Sequence, residues 1–158
     1  MTLRRRLVSV PALFLLAVGL TALAPIWLPL TALADLVRGR TRLPTTRLLS
    51  FGVCWAWLEV CGVVGAFGLW CIGRAKHHPA QYALQRWWAA RLMGALKATT
   101  GIAIEAAEAS ALSPGPTIML CRHASLADSL VSAWVITSVA GMNPRYVLKR
   151  ELLVDPCL

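Results

Sequence analysis

The chain has 158 residues, of which 58% are hydrophobic and 15% charged, with a mean hydropathy of +0.63. An ordinary soluble domain is about 45–50% apolar and about 25% charged, so the surplus apolar surface excludes a simple soluble globule and calls for lipid as a second solvent. A net charge of +9 suits either nucleic acid or an anionic membrane surface; the long apolar runs select the membrane, and no nucleic-acid-binding motif is visible.

Arg4, Arg5 and Arg6 precede an apolar run over residues 7–34 that carries no charge. Residues 7–24 as a helix would cover roughly 27 Å, enough to enter or cross a bilayer. Pro25 and Pro29 then break or kink it. Basic residues before an apolar core also fit a signal peptide, but the run is long and Thr21-Ala22-Leu23-Ala24-Pro25 is a poor cleavage site, so a retained membrane helix is expected.

Residues 35–47 read as a polar loop with Arg38, Arg40, Arg42 and Arg47. A second apolar run covers residues 48–73, with Glu59 as its one charge and with Gly62, Gly65 and Gly68, small residues that let helices approach closely in lipid. The two runs are expected to pair as a membrane-anchoring helical hairpin over residues 1–74. Basic clusters before, between and after the runs conflict with a two-pass hairpin. A re-entrant or shallow insertion, with every cluster on the cytoplasmic face, removes the conflict. Glu59 is a functional intramembrane carboxylate, a protonated acid hydrogen-bonded across the hairpin, or an acid lying near the surface of a shallow insertion.

Residues 75–99 read as a basic interfacial helix or linker, with Leu84, Trp88, Leu92 and Leu96 on one stripe and Trp87 and Trp88 suited to the headgroup layer of an anionic leaflet. The competing reading packs the tryptophans on a core. His77 and His78 beside Pro79 read as a solvated loop. The five cysteines, Cys54, Cys61, Cys71, Cys121 and Cys157, lack zinc-site spacing and read as apolar fillers in a reducing compartment. No metal or cofactor is expected.

From about residue 100 the pattern changes. Gly101-Ile102-Ala103-Ile104-Glu105 alternates like a strand, residues 112–116 form a turn, and Thr117-Ile118-Met119-Leu120-Cys121 reads as a buried strand. Residues 126–140 look helical, ended by Gly141, Asn143 and Pro144. Residues 145–149 read as a further strand. This order predicts an α/β class: a membrane hairpin followed, over residues 100–158, by the first part of an α/β domain.

At the strand-to-helix junction stands Arg122-His123-Ala124-Ser125-Leu126-Ala127-Asp128. His123 with a carboxylate five residues on could form a base and its orienting partner. Ser125 and Asp128 also fit a capping box, a purely structural explanation. The segment resembles the His-x-x-x-x-Asp motif of the glycerolipid acyltransferases, the family that includes lysophosphatidic-acid acyltransferase. There Ser125 is also common, while Arg122 stands where that family usually has Asn. Tyr146-Val147-Leu148-Lys149-Arg150-Glu151-Leu152 resembles the family's Lys-x-Glu-Leu segment. The resemblance covers about residues 100–158 by motif.

The resemblance implies a membrane-bound O-acyltransferase of phospholipid biosynthesis, its active domain on the cytoplasmic side. The acyl donor would be a thioester, acyl-CoA or acyl-carrier protein. The acceptor would be the hydroxyl of a lysophospholipid such as 1-acylglycerol-3-phosphate. His123 would be the base, Asp128 its partner, and Lys149, with Arg122 and Ser125, would contact substrate. The family's later Phe-Pro-Glu-Gly-type motif is missing from the sequence, so the chain is expected to stop inside the catalytic domain and to be inactive by itself. The alternatives are a small non-enzymatic membrane protein centred on Glu59 and a catalytically dead acyltransferase fragment.

Overall fold

A computed structural model of the chain describes residues 3–105, 117–121 and 126–145. Among these residues five α-helices follow one another: α1 (Leu3–Ala22), α2 (Ala24–Val37), α3 (Pro44–Cys71), α4 (His78–Thr100) and α5 (Leu126–Trp134), the last running into a π-helical turn, Val135–Val139. α3 is the central element. α1 and α2 pack against it, α4 pairs with it, and α5 with the π turn docks on α4.

The break between α1 and α2 has a definite chemical cause. Pro25 has no N–H to give to the carbonyl of Thr21, and its ring crowds that turn. The two helices meet at 66°. The indole N–H of Trp27 donates to the carbonyl oxygen of Leu20 at 2.8 Å, supplying a partner where the ladder is interrupted. The hydroxyl of Thr21 donates to the Ala17 carbonyl and accepts from the Trp57 indole at 2.9 Å, which ties the bend to α3. Phe14 meets the same Trp57 ring edge-on. Ala17 and Ala56, on the facing helices, are both fully buried.

α2 and α3 are joined by a turn built around Asp35, which is 0% exposed. Its Oδ2 accepts from the backbone N–H of Thr45 at 2.9 Å and of Thr46 at 3.1 Å. These are donors that the first turn of α3 cannot satisfy internally, so a side chain from the preceding helix acts as the cap. Leu43, just before Pro44, takes a left-handed conformation with φ 49° to bring the chain into register.

α3 and α4 run antiparallel along their whole lengths. Gly65 lies against Leu84, and Gly62 against Trp88; a methyl group on Gly65 would come within 2.9 Å of the Leu84 side chain. At the far end, Arg47 in the first turn of α3 donates to the carbonyl of Thr100, the last residue of α4, at 3.1 Å. Leu92 and Leu96 of the expected stripe are buried, with Ala89 and Met93 beside them. The segment read as an interfacial helix is thus a full partner of α3. His77, read as solvated loop, is the N-cap of α4: its Nδ1 accepts from the Ala80 N–H.

The α/β expectation is corrected. The chain is all-helical among the described residues, without strand or sheet. Residues 101–105 and 117–121, both read as strands, are irregular. Ile118 and Leu120 are 89% and 92% exposed, the opposite of a strand buried on both faces. Apolar alternation records only what a strand would bury; the strand itself exists through ladder hydrogen bonds to a neighbour. No neighbouring strand is present among the described residues. The turn at 112–116 and the third expected strand beyond Arg145 lie outside the described residues. The helix expected over 126–140 is present, and Gly141, with φ 66°, closes it.

Candidate functional site

Of the five residues singled out by motif, Asp128 lies within the described structure; Arg122, His123, Ser125 and Lys149 lie outside it. Asp128 is in the first turn of α5 and half-buried. A carboxylate there faces the positive end of the helix and favours the helix electrostatically, whatever else it does.

The placement of α5 is set from its other end. Lys97 Nζ sits 4.3 Å from the centre of the Trp134 ring. Ile136 and Thr137 of the π turn are buried, and the Thr137 hydroxyl donates to the Ala133 carbonyl at 2.6 Å. The irregular turn shifts the register by one residue, as Ala140 N–H donating to Val135 O at 2.8 Å shows. Removing the ring should loosen this docking. Trp134→Ala gives up a cation–π contact of about 0.5–1 kcal/mol besides the buried area. The expected result is faster amide hydrogen exchange in residues 126–139 with that of α3 unchanged; equal protection in α5 would show that Trp134 does not hold it.

α5 therefore stands at the α4 end where α3 begins. That end also carries Arg38, Arg40, Arg42 and Arg47, all exposed. Asp35 shapes the turn that holds them. The sequence pattern puts Asp35 at the start of a polar loop and assigns it no role. The available signal was a lone acid ending a long uncharged run, ten residues ahead of Thr45 on the way to a proline-led helix start.

Glu59 is 3% exposed. Its carboxyl is therefore turned inward, away from the outer apolar faces of α3. Those faces are extensive. Val64, Phe67 and Trp70 of α3, Leu7, Leu15 and Phe14 of α1, and Ile26, Leu30 and Leu33 of α2 are all exposed. α3 has 28 residues and is long and apolar enough to cross a membrane. A core helix of a soluble protein also passes that test of length and composition, but such a helix would be covered, and this one is mostly not.

Comparison with protein-family models, with curated proteins and with solved structures gives no match. The acyltransferase resemblance thus rests on the motif residues themselves.

Proposed function

We propose that the protein is a membrane-bound glycerolipid acyltransferase that moves an acyl chain from a thioester donor to the free hydroxyl of a lysophospholipid, in the first instance 1-acylglycerol-3-phosphate. In this reading His123 removes the proton of the acceptor hydroxyl, and the oxygen attacks the thioester carbonyl. The carbon–sulfur bond then breaks, and the thiol leaves with a proton. Asp128 holds the imidazole in the right tautomer and offsets the charge it gains. Lys149 contacts the acceptor phosphate, with Arg122 and Ser125 nearby in sequence. Acyl-CoA or acyl-carrier protein supplies the acyl group, and no metal takes part.

The observation that supports the reading best is the placement of the motif's helix. α5 carries Asp128 in its first turn and is docked through Trp134 on a helix bundle whose outer faces are apolar. Asp128 held on a bundle with apolar outer faces suits an acceptor that resides in lipid. The cationic end of the bundle suits substrates bearing phosphate. The active domain would then face the cytoplasm, where acyl thioesters are made.

The test is an acyl-transfer assay on membranes from a host whose own enzyme has been inactivated, carrying the intact protein. Labelled acyl thioester and 1-acylglycerol-3-phosphate should give labelled diacyl product. Product no higher than in the empty host, with the protein present in the membranes, would remove this function.

A further inference from the structure

The pairing of α3 with α4 limits how the bundle can sit in lipid. Because the two helices are antiparallel and matched end to end, each level of α3 has a counterpart in α4. Trp88 is level with Gly62 and Leu84 with Gly65. Continuing that register puts Arg91 level with Glu59, near the middle of α3, and Arg86 within two turns of it. Lys97 follows toward the Arg47 end. If α3 crossed the bilayer upright, its roughly 42 Å would more than fill the hydrocarbon core of about 30 Å. α4 would then carry Arg86 and Arg91, together with Gln85, into the core. Arg91 and Gln85 are exposed, and α3 offers Glu59 as its one acid at that depth. Cations at mid-bilayer are costly and rare.

Resting on the reading that lipid holds this chain, we propose that α3 lies in the plane of a single leaflet, with α4 covering it on the water side. Three observations converge on that occupant. The outward faces of α1, α2 and α3 are apolar, as a leaflet interior requires. α4 carries cations along its length, as a headgroup layer rich in anionic lipid favours. Exposed basic turns stand at both ends of α3, with Arg38, Arg40 and Arg42 before it and Arg74 and Lys76 after it; an in-plane helix sets both at the same surface. The 66° bend between α1 and α2 turns the first helix back within that leaflet. α5 docks on α4, which leaves it on the water side.

The experiment is one-sided labelling in sealed vesicles whose cytoplasmic face is outward. Single cysteines are placed by Arg40→Cys, Arg74→Cys and Arg91→Cys in a chain whose own five cysteines are serine. A charged, membrane-impermeant maleimide is added with and without detergent. In-plane seating gives full labelling of all three before detergent. Labelling of residues 40 and 74 from opposite faces, or of residue 91 after detergent alone, would overturn it. Trypsin on the unmodified protein supplies a second reading, with cuts in both basic turns expected from the one face and a cut in one turn alone counting against it. Recovery of the protein in the soluble fraction would instead sink the membrane reading beneath the proposal. None of these readouts depends on acyl transfer.

Discussion

Replacing His123 by alanine should lower the rate of acyl transfer by about a hundred- to ten-thousand-fold, the usual loss when a general base is removed. Membrane association should persist, because the exposed apolar faces proposed to meet lipid belong to α1, α2 and α3 and do not include residue 123. The acceptor's hydroxyl is a weak nucleophile while it keeps its proton; without a base its attack on even an activated thioester is slow. The loss should fall on kcat more than on KM, since in the proposed mechanism His123 acts on the reacting oxygen. Measured on membranes with matched protein levels, turnover within a few-fold of the unaltered protein would take His123 out of the mechanism.

Asp128→Asn should separate the two roles open to this side chain. Residence in the first turn of α5 already gives the carboxylate a structural reason to be there. If that is all it does, Asn keeps a hydrogen-bond acceptor and forfeits the charge–dipole interaction, about 0.3–1 kcal/mol. The protein would then melt slightly lower and turn over normally. As the partner of His123 it supplies a charge that Asn cannot replace, and the amide can favour the wrong tautomer. The corresponding change in the serine-protease triad costs about ten-thousand-fold. A thioester is a more activated donor than an amide, so a loss of at least roughly a hundredfold is expected here. A thermal melt and an acyl-transfer assay on one preparation decide between them. A lower melting point with normal turnover would leave Asp128 as a helix-end residue alone.

The helices were legible in the sequence because each carries its own signal. Long apolar runs marked α1, α2 and α3, and Pro25 marked the bend within two residues of where it falls. The stripe of Leu84, Trp88, Leu92 and Leu96 marked the face that α4 turns inward. The strands failed for a reason of the same kind. Residues 101–105 and 117–121 have strand-like side chains, but a strand is a relationship between two segments, and alternation in one of them does not supply the other. The capping of α3 by Asp35 and of α4 by Arg47 was likewise illegible: both depend on a side chain reaching a helix end that is remote in sequence, 53 residues away for Arg47 and Thr100. For the site, the motif names His123, Asp128 and Lys149, while spacing alone fixes no geometry among them.

The order of packing in the bundle has a consequence for biosynthesis. Apart from α1 on α3, each helix packs on its neighbour in sequence, so the bundle can assemble in the order in which it leaves the ribosome, with short loops to close and little searching. α4 is the exception in timing. The glycine flank of α3, Gly62 and Gly65, is complete once residue 71 is made, yet the helix that covers it is finished only at residue 100. At about 5–20 residues per second that interval is roughly one to six seconds. During it a row of bare backbone faces outward from an otherwise apolar helix. A nascent-chain holdase or the insertion machinery has its work to do in that window, and slow codons between α3 and α4 would lengthen it.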